Sequence, residues 1–101
     1  MSDLFDLTDK VAVVTGSSLG IGRAIAEAMA AHGARVVISS RKADKCEIVA
    51  EEIKANGGEA IVIPCHCSHK DQLQNLVHKT IDTWGKIDIL VCNAAVNPFY
   101  G

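Results

Sequence analysis

Short apolar runs alternate along the chain with segments in which apolar residues recur every three or four positions. Runs that are apolar almost throughout are typical of strands covered on both faces. We predict a strand for each of four such runs, at residues 11–14, 36–38, 60–63 and 87–92. The intervening segments predict three helices, with apolar positions at 21–29, 46–53 and 73–84.

This alternation of strands and helices predicts a parallel sheet with right-handed crossovers. We expect the spatial order 3-2-1-4 in a Rossmann-like, doubly wound α/β fold with three layers (αβα). Sheets of this kind bind ligands beyond the carboxyl ends of their strands, where the strand order reverses. In this chain that place lies near strands one and four.

The first predicted strand runs into a glycine-rich turn, TGSSLGIG at residues 15–22, and a helix follows. Glycines in this context let the backbone approach a pyrophosphate, and the helix N-terminus offers it free N–H groups. The spacing G-x-x-x-G-x-G differs from the commoner G-x-G-x-x-G, and a simple packing turn is the alternative interpretation. The residues predicted to surround the phosphates are Gly16, Ser18, Leu19, Gly20, Ile21 and Gly22.

The residues that follow strand two bear on the choice of cofactor. In dinucleotide-binding folds an acidic residue about 20 positions beyond the glycines binds the ribose 2′-hydroxyl. This chain has Ser40, Arg41 and Lys42 there instead. The guanidinium of Arg41 is suited to a phosphate, so the segment favours NADP over NAD. The alternative is that both cations are merely solvated loop charges.

A third candidate segment follows strand four, at Asn93, Ala94 and Ala95. Small residues allow a bound nucleotide to approach the backbone, and the amide of Asn93 can link neighbouring strand ends. Taken alone, the segment also fits an ordinary turn.

These segments together resemble the short-chain dehydrogenase/reductase family. Its motif T-G-x-x-x-G-[IL]-G matches residues 15–22 throughout, and its N-A-G motif appears at 93–95 with alanine in place of glycine. Segments 38–42 and 93–99 look most like the NADP-dependent retinol dehydrogenase and carbonyl reductase branch. The resemblance implies hydride transfer between a nicotinamide cofactor and a small carbonyl or alcohol substrate. The implied cofactor is NADP(H), with NAD(H) as the alternative.

The resemblance also implies which residues meet the adenine. The family usually has Asp after strand three, accepting a hydrogen bond from the adenine amino group. Here His66 occupies that position, and a neutral imidazole nitrogen can also accept. The backbone of Cys67 is then expected to meet the ring. Many NADP-using members have a basic residue where this chain has Leu19, so the preference for NADP depends on Arg41, assisted by Lys42.

No catalytic residue is expected within this segment. The family's catalytic Ser, Tyr and Lys lie downstream, and the single tyrosine, Tyr100, has no Lys after it. Strand four is also a long apolar run without the Lys or Pro that protects an edge strand. We therefore expect residues 1–101 to be the N-terminal part of one NAD(P)-binding domain, truncated before its catalytic half. A protein truly ending at Gly101 would instead be a nucleotide-binding or regulatory module without catalysis, and a family relative without nicotinamide is a third alternative.

Composition excludes several other classes. Ten Lys and Arg stand against twelve Asp and Glu, and no basic stripe with aromatics predicts nucleic-acid binding. The chain has no apolar run near the roughly 20 residues of a membrane span. The cluster at 65–69, CHCSH, lacks the separated ligand pairs of zinc sites, so we predict no metal.

Cellular location and assembly are further expectations. The four cysteines form no scaffold pattern and indicate reduced thiols. The acidic N-terminus lacks the features of a signal peptide, so we expect a cytoplasmic protein, or a peroxisomal one if its C-terminus carries that signal. The family resemblance implies a homo-oligomer, a dimer or tetramer, for the full-length protein.

Overall fold

The computed structural model describes residues 6–16, 20–65 and 70–92. It confirms the predicted alternation of strands and helices. In chain order the elements are β1 (Val11–Thr15), α1 (Gly20–Ala31), β2 (Arg35–Ser39), α2 (Ala43–Ala55), β3 (Glu59–Val62), α3 (Lys70–Trp84) and β4 (Ile89–Cys92).

The four strands form one parallel sheet in the order β3-β2-β1-β4, as predicted. Val13 of β1 is opposite Val37 of β2 and Leu90 of β4. At the carboxyl end of β1, Thr15 is opposite both Ser39 and Cys92. Three neighbouring strands therefore end at the same level. The strand order reverses between β1 and β4, as the sequence predicts.

One face of the sheet packs against α1 and α2, and we call it the α1–α2 face. Its core consists mainly of small and β-branched side chains from the strands and from the two helices α1 and α2. They are Val14, Ala26, Ala30, Ala34, Val36, Ile38, Cys46, Val49, Ala50, Ile53 and Ala60. Alanines on both helices allow them to lie close to the strands, and burial of this apolar surface favours folding.

The opposite face packs against α3, and we call it the α3 face. Its buried cluster is smaller and contains Val13, Val37, Ile63, Cys65 and Leu76. Trp84, the last of the apolar positions predicted for the third helix, is partly buried against this cluster.

The helix α3 differs from its predicted apolar face at two positions. Thr80 is fully buried, and its hydroxyl donates to the carbonyl of Leu76 at 2.8 Å. Ile81, which belongs to the apolar positions predicted for this helix at 73–84, is instead 45% exposed. An internal hydrogen bond to the preceding turn lets a polar side chain occupy a core position, which a hydrophobic pattern does not show.

The strand β4 has different surroundings from the central strands. All residues of β1 are buried, whereas Leu90 is 55% exposed on the α3 face, opposite Val13. Among the described residues, β4 is therefore less completely covered on the α3 face than the central strands. Among those residues β4 pairs with β1 alone.

The amino ends of the strands are held by contacts from neighbouring segments. Leu7 donates its backbone N–H to the carbonyl of His32 at 2.7 Å, and the N–H of Arg35 donates to the carbonyl of Lys10 at 2.9 Å.

In the described ranges no helix is both long and apolar enough to cross a membrane.

Candidate dinucleotide-binding site

The candidate site is built on the level carboxyl ends of β1 and β2. Thr15 and Ser39 are paired in register, so Gly16 and Ser40 leave the sheet from adjacent positions. Neighbouring strands lie about 4.8 Å apart. The fold thus brings together two of the three segments that the sequence selects for the cofactor.

The glycine turn has the backbone conformation that its glycines allow. Gly16 has φ of 64° and Gly20 has φ of 62°, both in the left-handed region that other residues rarely adopt. Apart from its chain neighbours and its own helix backbone, a Cβ placed on Gly20 would meet no atom of the described residues within 4 Å, so the backbone borders open space on that side. The first helical turn therefore has room for a ligand beside it.

The other residues of the turn have distinct positions. Ile21 is 73% exposed, although isoleucine is usually buried, and Gly22 is buried within α1. Ser18 and Leu19, predicted to contact phosphate, lie outside the described residues. An exposed apolar side chain in the first turn of α1 is available for contact with a bound molecule.

The loop between β2 and α2 is organised by Ser40. Its carbonyl accepts the N–H of Cys65 at 3.0 Å, and its hydroxyl oxygen accepts the N–H of Lys42 at 3.0 Å. The same oxygen lies 3.2 Å from the thiol sulfur of Cys46. Arg41 and Lys42 are exposed above this half-buried serine.

The charge at this loop favours an anion. Arg41 and Lys42 are consecutive cations, while Asp44 is the acidic residue of the first turn of α2. Lys42, at the N-cap of α2, makes no side-chain capping hydrogen bond. The loop therefore combines two cationic groups with a helix N-terminus that carries no side-chain cap, and both features attract negative charge.

Two residues that support the site were not among those selected from the sequence. The hydroxyl of buried Thr15 donates to the carbonyl of Val91 at 3.3 Å, linking the carboxyl ends of β1 and β4. At the opposite end, the carboxylate of Asp88 accepts the N–H of Val11 at 2.9 Å. Thr15 is the first residue of the glycine motif, so the sequence does draw attention to it. Asp88 lies 77 positions from Val11, and no local sequence pattern indicates that the two residues meet.

The surroundings of Asp88 also affect its ionisation. The Val11 N–H, followed by the Lys86 ammonium at 3.1 Å, lowers the pKa of the Asp88 carboxyl. At neutral pH the group is therefore a carboxylate that can accept both hydrogen bonds.

Several predicted positions cannot be placed. His66, Cys67, Asn93, Ala94 and Ala95 lie outside the described residues, so the adenine contacts and the third segment stay predictions. Within ranges 6–16, 20–65 and 70–92, no three His, Cys, Asp or Glu side chains are grouped to hold a metal.

Comparison with known proteins identifies the class. The family model of the short chain dehydrogenases matches residues 10–100, which is most of the chain. The chain belongs to this family. Among curated relatives, it is 45% identical over 95 residues to dehydrogenase/reductase SDR family member 4 of Oryctolagus cuniculus, covering 94% of this chain and 36% of that protein.

Solved structures agree with this membership. A hydroxysteroid dehydrogenase from Escherichia coli matches with a TM-score of 0.92 and 40% identity, over 95% of this chain and 41% of the other. A metagenomic short-chain oxidoreductase in complex with NADP matches with a TM-score of 0.86 and 44% identity, over 93% and 42%. The chain spans about a third of the length of the curated relatives it matches.

Proposed function

We propose that this chain forms the dinucleotide-binding part of an NADP(H)-dependent oxidoreductase that acts on a small carbonyl or alcohol substrate. Family membership supports an oxidoreductase with a nicotinamide cofactor. The NADP complex of a relative that is 44% identical supports the choice of cofactor. The substrate class is carried over from the family.

The observation that carries the proposal is the pairing of an open glycine turn with a cationic loop on adjacent strands. Gly16, directly after β1, and Gly20, at the start of α1, both have positive φ, and a Cβ on Gly20 would point into open space among the described residues. One strand away, Arg41 and Lys42 follow β2. A pyrophosphate at the turn and a 2′-phosphate at the loop would each meet groups that favour negative charge.

Each described residue has a role in this proposal. Backbone N–H groups from Gly20 to Gly22 would face the pyrophosphate, with Ile21 beside it, and Arg41 and Lys42 would neutralise the 2′-phosphate. When bound, the nicotinamide supplies or accepts the hydride. This chain's part in the chemistry is to hold and orient the cofactor, because no acid–base group of the reaction is assigned to it.

The test compares the binding of NADPH and NADH by isothermal titration calorimetry, in the protein and in its Arg41→Ala variant. We expect the protein to bind NADPH more tightly, and Arg41→Ala to weaken NADPH binding by about tenfold or more, since a charge-assisted hydrogen bond is worth about 1.5–3 kcal/mol. NADH affinity should change little. Lys45→Ala is the matched control, because Lys45 is an exposed cation in the first turn of α2. Equal affinities for the two cofactors in the unaltered protein would contradict the NADP proposal.

A further inference from the structure

A closed ring of three contacts lies beneath the loop that carries Arg41. The N–H of Lys42 donates to the Ser40 hydroxyl oxygen at 3.0 Å, and the N–H of Cys46 donates to the Lys42 carbonyl at 3.1 Å. The Cys46 sulfur, 3.2 Å from the Ser40 hydroxyl, closes the ring. Arg41 contributes none of these atoms, although it lies between two of the residues that do.

The ring is anchored in the core at two points. Cys46 is fully buried and packs within the cluster of the α1–α2 face. The Ser40 carbonyl accepts the N–H of Cys65, which extends the pairing beyond the end of β3. The loop backbone is therefore fixed from below, while the cationic side chain at its apex is exposed.

The chemistry of the ring requires a hydrogen-bonding group at position 46. A serine hydroxyl has one proton and two lone pairs, so it can accept from Lys42 and still share a hydrogen bond with the thiol. Burial raises the pKa of the Cys46 thiol, and the group stays protonated at neutral pH. A purely apolar side chain of similar size would fill the same space and leave the Ser40 hydroxyl one contact short.

We propose that Cys46 is a positioning residue for recognition of the cofactor's 2′-phosphate, acting through Ser40 and the loop backbone on Arg41. This inference rests on the proposed function. It assigns to a buried thiol a part in cofactor selectivity that neither its burial nor its position in α2 reveals.

The test measures the ratio of the dissociation constants of adenosine 5′-monophosphate and adenosine 2′,5′-bisphosphate. These probes differ only in the 2′-phosphate, and their binding does not depend on catalysis or on nicotinamide. Calorimetry on the full chain would compare Cys46→Val, which removes the hydrogen bond and keeps the bulk, with Cys46→Ser, which keeps a hydroxyl. Val49→Ala is the matched control, because Val49 is fully buried in the same helix and cluster and has no polar group.

We expect Cys46→Val to lower the preference for the bisphosphate by about two- to tenfold, the equivalent of one hydrogen bond. Cys46→Ser should restore most of it, and Val49→Ala should leave it unchanged despite a lower melting temperature. Ser40→Ala removes two contacts of the ring and should lower the preference for the bisphosphate at least as far. It provides an independent test if Cys46→Val does not fold.

Two results would overturn the inference. If Cys46→Val and Ser40→Ala keep the full preference while Arg41→Ala loses it, the proposed function stands and Cys46 has no positioning role. If the unaltered protein binds both probes equally, the proposed NADP selectivity fails, and the role of Cys46 fails with it.

Discussion

The two faces of the sheet are covered to different extents. On the α1–α2 face, the central strands and both helices bury a continuous cluster that includes Ile38 and Val49 with no exposed surface. On the α3 face, the cluster around Val13 and Leu76 is smaller, and Leu90 of β4 is 55% exposed. Apolar runs of similar appearance therefore form a completely buried strand in β1 and a partly exposed strand in β4.

The difference shows where the predicted phosphate-binding residues obtain their support. The glycine turn leads into α1 and the cationic loop leads into α2, so both connections belong to the better packed face. Binding loops need a rigid framework to hold them in position. The small, fully buried residues of this face supply that framework.

The largest expected effect contrasts one buried and one exposed side chain. Ile38→Ala removes a fully buried side chain from the α1–α2 face and should lower the free energy of unfolding by about 2–5 kcal/mol. Leu90→Ala, on the exposed part of the α3 face, should change it by about 0.5 kcal/mol or less. Urea denaturation followed by circular dichroism measures both. A similar loss for the two variants would mean that Leu90 is covered in solution.

The next effect separates strain from ligand contact at the glycine turn. Gly20→Ala and Gly57→Ala each place a Cβ in open space at positive φ, 62° and 89°, and each should cost about 1–2 kcal/mol of stability. Only Gly20→Ala should also weaken NADPH binding, since its Cβ enters the space assigned to the phosphates. Thermal denaturation measures the loss of stability, and calorimetry measures the loss of NADPH affinity. Unchanged NADPH binding by Gly20→Ala would show that this position is not part of the site.

A smaller effect concerns the link between β1 and β4. Thr15→Val keeps the shape of the side chain but loses the hydrogen bond to Val91, at a cost of about 0.5–1.5 kcal/mol. Thr80→Val on α3 is the control, because its partner carbonyl lies in its own helix. We expect Thr15→Val alone to weaken NADPH binding, since it loosens the strand ends beneath the turn. Equal effects of both variants on binding would indicate general destabilisation.

The smallest effect is a dependence on pH at the amino end of the sheet. The pKa of Asp88 is lowered in the folded protein, so its contribution is present above the unfolded pKa and is lost as the pH falls through the folded value. The difference in stability between the protein and Asp88→Asn should therefore be greatest near neutral pH and shrink below about pH 3.8. Urea midpoints from pH 7 to pH 3 measure it. A difference that does not vary with pH would show that the carboxylate charge is not involved.

The sequence predicted most of the fold because its signals are local. Apolar runs marked the strands, three- and four-residue spacing marked the helices, and the β-α-β alternation then indicated a Rossmann-like sheet, whose usual order is β3-β2-β1-β4. Burial of Thr80 and exposure of Ile81 were missed, since a hydrophobic pattern does not register a polar side chain satisfied by its own helix.

The candidate site was predicted only in part. The glycines and Arg41 lie in segments with a recognisable spacing. The contacts that hold them depend on residues brought together by folding, such as Asp88 with Val11, or Cys46 with Ser40. A thiol in an apolar stretch of helix looks like any small buried side chain until its neighbour is known.

The ring of contacts among Ser40, Lys42 and Cys46 has an evolutionary consequence. The backbone on either side of residue 41 is held by contacts among Ser40, Lys42 and Cys46, and these contacts do not use the side chain at position 41. Replacing a cation by an acid there would exchange attraction for repulsion towards a phosphate in a single mutational step. If residue 41 meets the 2′-phosphate as proposed, such an arrangement would let cofactor preference change while the scaffold is inherited unchanged.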